Sequence, residues 1–217
     1  MPGLTDKVKI PAGINAGLNG TKNSLMLALL GNPRSSYNDD CQPVTNKTLK
    51  ARIKTASVGP FKSTGYDLAV DSLKEIMSDI KAAEPTVHAA LGTAGMLCCR
   101  FVRGSTTAIS NHSWGTAIDL TLNGVLDARG DGKVQHGLTL IAPIFNAHMW
   151  FWGATFPTED GMHFEVSEQL LRKWKADGKL DGAAAARAVL NDGVLTVGDR
   201  GNDVLALQQA LNAKFDE

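Results

Sequence analysis

Two short segments of the chain carry the side chains best suited to chemistry. Residues 110–119 read SNHSWGTAID, and residues 160–165 read DGMHFE. Between them they offer two imidazoles, His112 and His163, and the carboxylate of Asp119. Two histidines and one carboxylate would suit a catalytic zinc ion, which keeps a fourth position open for water.

In the first segment, a bend must bring His112 and Asp119 together. A straight strand would separate them by roughly 23 Å, at about 3.3 Å per residue. Gly115 offers that bend, because glycine tolerates backbone angles that other residues avoid. Residues 116–122 alternate as a strand, with Asp119 on its more polar side, where a carboxylate requires a cation or hydrogen-bond donors.

The second segment also alternates. Apolar side chains between residues 162 and 166 are interleaved with His163 and Glu165, which should therefore share the face away from the core. Glu165 is predicted to orient a metal ligand. Asp160 lies three residues before His163, close enough to act on a water molecule at such a site. Glu159 competes for that role, but we expect it to project to solvent.

SNHSWGTAIDL and DGMHFE, in this order and separation, resemble the VanY-like family of zinc D-Ala-D-Ala carboxypeptidases and L-alanyl-D-glutamate endopeptidases, which includes many phage endolysins. The family pattern is SxHxxGxAxD, followed by an acidic residue three positions before a histidine. The resemblance covers about residues 99–166. It implies one zinc ion per chain, bound by His112, Asp119 and His163. It also implies that Asp160 is the general base.

An arginine upstream of the first motif is implied to hold the substrate carbonyl or carboxylate. Arg100 and Arg103 both precede it, and on a strand their odd spacing allows only one to face the cleft unless a bulge intervenes. We favour Arg103, which is nearer the loop leading to the zinc. Ser110 and Trp152 are predicted to contact substrate, with a core position as the alternative for Trp152.

The predicted fold class is α+β: a small, largely antiparallel sheet carries the zinc site on its polar face and is flanked by helices. Residues 1–176 form the predicted catalytic domain, and residues 1–62 an irregular N-terminal wrap around it. Residues 177–193 are Gly- and Ala-rich and predict a helical linker. Residues 194–217 resemble the opening of a three-helix peptidoglycan-binding module, of which they would be only a part.

Hydrophobic periodicity predicts the secondary structure of the catalytic domain. Helices are predicted at residues 21–30, at 64–83, at 134–147 despite Pro143, and after an N-cap at Ser167. Strands are predicted at residues 93–102, 116–122, 150–152 and 162–166.

Composition excludes several classes of function. Lys+Arg and Asp+Glu both number 22, which argues against nucleic acid as the main partner. No apolar run approaches the roughly 18 residues of a membrane span. The stretch 25–30 is too short for an export signal, so we expect synthesis in the cytoplasm without a signal peptide. Cys41 could pair with Cys98 or Cys99 in an oxidising compartment, or all three could remain thiols.

Other metal-binding patterns are weaker. Residues 127–132, DARGDG, resemble the start of a calcium loop but have Arg129 at the third position and lack the bidentate glutamate. His88, His136 and His148 have no matching context and are interpreted as core or surface residues, with His136 as the best candidate among them to line a cleft.

The leading hypothesis is a monomeric, bacteriolytic endolysin that cuts L-Ala–D-Glu in peptidoglycan after release by phage lysis or secretion. A D-Ala-D-Ala carboxypeptidase is the nearest alternative. A non-catalytic, zinc-stabilised wall-binding protein and a delivered antibacterial toxin are the others.

Overall fold

A five-stranded antiparallel sheet organises the structure, a computed structural model that describes residues 2–180. Its strand order is β4-β5-β9-β8, with the short β6 also paired to β5. Two further antiparallel pairs, β1 with β7 and β2 with β3, lie outside it. The fold is α+β, as the sequence predicts.

The strands are β1 (Lys7–Lys9), β2 (Ile53–Ser57), β3 (Lys62–Tyr66), β4 (Leu91–Gly95), β5 (Ala117–Leu122), β6 (Val125–Leu126), β7 (Lys133–Gln135), β8 (Trp150–Trp152) and β9 (His163–Val166). The helices are α1 (Asn23–Leu30), α2 (Lys47–Ala51), α3 (Asp67–Ala83), α4 (Pro85–Ala90), α5 (His136–Ala147) and α6 (Glu168–Ala176), with 3₁₀ turns at Asn111–Trp114 and Gly153–Thr155.

The apolar face of the sheet packs against α5. Phe164 of β9 is fully buried and stacks on Phe145 of α5, with ring centroids 4.1 Å apart. Trp152 of β8 stacks on Phe164 at 5.7 Å. Burying one such aromatic side chain contributes about 1.5–3 kcal/mol. Because side chains alternate along β9, this packing turns His163 and Glu165 to the other face.

Several predicted elements are confirmed. Strands β5, β8 and β9 fall within the predicted segments, and the Ser167 hydroxyl caps α6 by accepting a hydrogen bond from the Leu170 N–H at 3.1 Å. Pro143 is inside α5, where it removes one N–H from the helix without ending it.

The predicted helix 64–83 begins later than expected. Residues 62–66 are instead β3, because their backbone pairs with β2, and the helix starts at Asp67. Residues 1–62 are not wholly irregular either, since they contain β1, β2, α1 and α2. Strand β1 is only three residues long and pairs with β7, more than 120 residues away, so no local pattern announces it.

The strand predicted at 93–102 is confirmed only over residues 93–95 and is wrong beyond them. Strand β4 ends at Gly95 after a register shift, and the chain continues irregularly with two isolated bridges, Gln42 to Cys99 and Phe101 to Ile109. The apolar run that suggested a strand is partly exposed at Leu97, Cys98 and Phe101, because this segment leaves the sheet.

A disulfide joins Cys41 to Cys98, whose Cα atoms are 4.9 Å apart. Cys99 is a buried free thiol. The bond connects the N-terminal segment to the irregular segment that follows β4, and it closes a loop of 57 residues.

Removing this disulfide is expected to destabilise the fold. The Cys41→Ser, Cys98→Ser double variant should unfold with a free energy about 2–4 kcal/mol lower than the wild type, because its unfolded chain is no longer cross-linked. Urea denaturation measures the difference. Dithiothreitol should destabilise the wild type by a similar amount and leave the double variant unchanged; a similar effect on both would contradict this role.

Two predicted segments extend beyond the structure described. Residues 181–193 of the predicted linker, and all of the predicted wall-binding segment 194–217, lie outside the described residues. In residues 2–180, no helix is both long and apolar enough to cross a membrane.

Candidate metal centre and catalytic cleft

The 3₁₀ turn Asn111–Trp114 and strand β5 bring His112 to Asp119. Gly115 joins them with φ of 67°, in the left-handed region that favours glycine. A Cβ atom at Gly115 would also lie 2.7 Å from the Gly65 Cα, so the close approach of β3 leaves no room for a side chain. The bend predicted at Gly115 is confirmed.

The cross-strand register brings in the third residue. Asp119 of β5 lies directly opposite His163 of β9. Asp119 Oδ1 is 3.2 Å from His112 Nε2 and 3.2 Å from His163 Nδ1, and these two nitrogens are 3.3 Å apart. Ligand atoms at about 2.0–2.1 Å from a tetrahedral zinc would be about 3.3–3.4 Å apart. The triangle therefore fits the metal that the sequence predicts.

In each histidine ring, the nitrogen outside the ligand triangle (the outer nitrogen) forms a hydrogen bond that orients the nitrogen within the triangle (the inner nitrogen). His112 Nδ1 lies 3.0 Å from the Met96 carbonyl oxygen, and His163 Nε2 lies 2.9 Å from Glu165 Oε2. Both partners can only accept, so each outer nitrogen carries the proton and donates it. In the metal-bound protein, each inner nitrogen would then present its lone pair toward the centre.

Glu165 is itself firmly held. It is buried, and its Oε1 accepts from the Thr21 N–H at 3.0 Å while its Oε2 also accepts from the Asn111 amide at 2.9 Å. These contacts fix the carboxylate that orients His163. The geometry thus supports the predicted orienting role of Glu165.

Glu165→Gln is expected to lower zinc affinity by about 10–100-fold, because the amide cannot hold the His163 Nε2–H as strongly as a carboxylate does. Competition with a chelator at fixed pH would measure the change. Glu168→Gln, which alters an exposed pair with Arg172, serves as the control and should bind zinc as the wild type does. Unchanged affinity in Glu165→Gln would refute the orienting role.

The charges of this cluster favour a cation. Burial opposes ionisation of Asp119, but hydrogen bonds from His112 and His163 hold the pKa of Asp119 well below its usual value. Burial also lowers the pKa of His163, yet contacts with Asp119 and Glu165 outweigh it and raise this pKa to about 10. The carboxylates of Asp119 and Glu165, which stabilise a positive charge on His163, would equally stabilise a divalent cation bound within the cluster, and binding of a metal there would displace the His163 proton.

Asp160 lines the cleft that surrounds the three metal-ligand candidates. Its Oδ2 lies 3.2 Å from Arg129 Nε, whereas its Oδ1 is buried without a hydrogen-bond partner among residues 2–180. Burial raises the pKa of Asp160; His163 and Arg129 partly oppose that rise. A carboxylate with one oxygen held and one free is suited to accept and return a proton.

Glu159 does not project to solvent, so that prediction is wrong. Its side chain is buried, and its two carboxylate oxygens accept from the backbone N–H groups of Gly130 and Gly132 at 2.8 and 2.9 Å. The two N–H groups supply the donors that a buried carboxylate requires. Glu159 thereby ties the loop 127–132 to the segment that carries Asp160.

Within that loop, the Lys7 ammonium pairs with two of the carboxylates that a calcium ion would need. Lys7 Nζ lies 2.7 Å from Asp127 Oδ1 and 3.0 Å from Asp131 Oδ2. A side-chain cation therefore balances these carboxylates. The alternative of a calcium loop, set aside from the sequence, has no support here.

The cleft around the metal ligands has a volume of about 990 Å³. Arg100, Arg103 and Ser110 all line it, together with Asp160. The expectation that only one arginine faces the cleft is wrong, because the segment after β4 is not a strand and side chains need not alternate. Arg100 is half-buried, with Nη1 donating to the Phe101 carbonyl at 3.0 Å, and Arg103 is exposed.

Trp152 does not contact the cleft. It is fully buried, and its indole N–H donates to the Gly161 carbonyl at 2.7 Å. The predicted substrate contact is therefore corrected: Trp152 supports the turn between Asp160 and His163 from below. The cleft is not lined by His88 or His148, in agreement with the sequence interpretation, nor by His136, which was the best candidate among the three.

Arg129 is the cleft residue that sequence reasoning missed. It contacts Asp160 and lines the cleft. Its only signal in the sequence was its place in the loop 127–132, which indicated a turn rather than a site.

Comparison with known proteins agrees with this geometry. Residues 103–166 match a family model described as D-alanyl-D-alanine carboxypeptidase. The matched span includes the three metal-ligand candidates, Asp160 and Arg129. No curated protein matches the chain. The match supports a peptidase that acts on peptidoglycan.

Proposed function

We propose that the protein is a zinc peptidase that hydrolyses peptide bonds in the stem peptides of peptidoglycan. The observation that carries the proposal is the triangle of ligand atoms 3.2–3.3 Å apart, with Asp160, whose Oδ1 has no hydrogen-bond partner among residues 2–180, lining the same cleft. Zinc bound there would polarise the scissile carbonyl and lower the pKa of a water molecule.

Side chains of the cleft carry out the two remaining tasks of the reaction, proton transfer and stabilisation of the oxyanion. Asp160 Oδ1 accepts the proton of the attacking water and returns it to the leaving amine. Arg100 and Arg103 provide guanidinium groups from which the oxyanion is stabilised as charge develops on it. A non-catalytic wall-binding protein would have no use for Asp160, which disfavours that alternative.

Between the two candidate bonds, we propose L-Ala–D-Glu. The cleft has a volume of about 990 Å³ and is lined by residues well beyond the metal-ligand candidates, among them Arg103 and Thr158. An endopeptidase needs room for substrate residues on both sides of the bond, which favours it over an enzyme that removes only the terminal residue. The family description favours the carboxypeptidase instead.

Mass spectrometry of products from a soluble stem pentapeptide and from purified sacculi tests the proposal. New N-terminal D-Glu is expected, and it identifies the endopeptidase; released D-Ala would identify the carboxypeptidase. Zinc-loaded protein that binds sacculi and releases neither product would refute catalysis and support the wall-binding alternative. We further propose that the protein meets its substrate after release by phage lysis or secretion.

A further inference from the structure

Arg129 forms an ion pair with the proposed catalytic carboxylate and still has hydrogen-bonding capacity left. Its Nε lies 3.2 Å from Asp160 Oδ2, and its side chain is 37% exposed in the cleft wall. In the part of the chain that the structure describes, no other ion pair or hydrogen bond of this side chain is found. Its terminal Nη1 and Nη2 groups can therefore bind a second anion.

The loop that carries Arg129 is held on both sides. Glu159 accepts the N–H groups of Gly130 and Gly132, and Lys7 holds Asp127 and Asp131. The backbone of Arg129 is thus fixed before substrate arrives. A guanidinium fixed in this way loses less conformational entropy when it binds a carboxylate.

The strand registers place Arg129 at the opposite end of the cleft from the other arginines. Gly95 of β4 and His163 of β9 both lie opposite Asp119. Because both strands are antiparallel to β5, the chain after Gly95 runs toward the start of β5, and Asp160 lies toward its end. Arg100 and Arg103 follow the first path, whereas Arg129 is paired with Asp160.

The two candidate bonds share one chemical feature beside the leaving amine. D-Glu in the stem peptide is joined onward through its side chain and keeps a free α-carboxylate, and a terminal D-Ala also has a free α-carboxylate. In either residue, two covalent bonds, about 2.5 Å, separate the amine nitrogen from the carboxylate carbon. A site that delivers a proton to this amine must therefore have the α-carboxylate close by.

We propose that Arg129 determines specificity by binding the α-carboxylate of the residue that supplies the leaving amine. The inference rests on the proposed function. Asp160 Oδ1 delivers the proton to the leaving amine. The Arg129 guanidinium, paired with Asp160 Oδ2, is therefore adjacent to the place where the substrate carboxylate must lie. Substrates amidated at this carboxylate would lose the charge-assisted pair.

Steady-state kinetics on matched peptides tests this. The peptide L-Ala-γ-D-Glu-L-Lys-D-Ala-D-Ala is compared with the same peptide amidated on the α-carboxyl of the residue that follows the cleaved bond. Wild-type kcat/KM should be about 10–100-fold higher for the carboxylate, the usual effect of a hydrogen bond to a charged group. The Arg129→Gln variant should reduce that ratio to about one, and Arg129→Lys should be intermediate.

The ratio of kcat/KM for the two peptides distinguishes recognition of the carboxylate by Arg129 from an indirect effect of the substitution on Asp160. A disturbed Asp160 would slow both peptides alike and leave the ratio unchanged. The matched control is Arg172→Gln, whose partner Glu168 is on α6, and it should keep the wild-type ratio. Should Arg129→Gln be too slow to assay, calorimetry on the amine-bearing product and its amidated form gives the same comparison through Kd.

Two results would overturn the role of Arg129: equal hydrolysis of both peptides by the wild type, or an Arg129→Gln variant that keeps the wild-type preference. Zinc-loaded wild type that hydrolyses neither peptide would instead refute the proposed function, and this inference with it.

Discussion

Asp160→Asn protein is expected to keep its zinc and to lose about 10²–10⁴-fold in the rate of peptide hydrolysis, the usual contribution of general acid–base catalysis. Asparagine has the shape of aspartate, so the pairing with Arg129 through one oxygen can persist. The amide cannot accept the proton of the attacking water, however. The kcat on a soluble stem peptide, together with the zinc content of the same sample, measures both parts of the expectation.

Glu159→Gln is the matched control for this experiment. Glu159 is buried and accepts two backbone N–H groups, and an amide would turn one of those acceptors into a donor. We therefore expect a lower melting temperature and a much smaller loss of kcat than in Asp160→Asn. Wild-type activity in Asp160→Asn, with activity lost in folded Glu159→Gln, would reverse the two roles.

His163→Ala and His112→Ala are each expected to reduce bound zinc from about one ion per chain to nearly none, because two remaining protein ligands do not complete a site that needs three. Hydrolysis should be lost with the metal. Atomic absorption on dialysed protein measures the zinc, and the rate on the stem peptide measures the consequence.

His148→Ala is the control for the histidine variants. His148 pairs with Asp79 at 2.8 Å and does not line the cleft, so its removal should leave zinc and activity in place. Full zinc occupancy in both His112→Ala and His163→Ala would show that the metal is bound elsewhere or not at all by this cluster.

The sequence by itself determined the components of the site that lie within regular strands. Side chains alternate along β9 with a period of two, so His163 and Glu165 had to share a face once Phe164 was assigned to the core. The same rule placed Asp119 on the polar side of β5. The resemblance of the two motifs supplied the rest of the ligand set, and the structure brings its three ligand atoms within 3.3 Å of one another.

Reasoning from the alternation of side chains along a strand failed in irregular segments. Alternation was applied to residues 93–102, where the backbone leaves the sheet after Gly95, and it wrongly excluded one of the two arginines from the cleft. The choice between Cys98 and Cys99 as the partner of Cys41 was also open. Adjacent residues differ only in where the folded backbone points them, and the structure pairs Cys41 with Cys98.

Only the tertiary structure decided the environment of Asp160. Glu159 is bound to a loop about 30 residues earlier, Arg129 reaches Asp160 from that loop, and Trp152 supports the turn from the core. These contacts join irregular segments with no repeating pattern. Local periodicity reports which face of a strand a residue occupies, but two loops meet only when the whole sheet has positioned their ends.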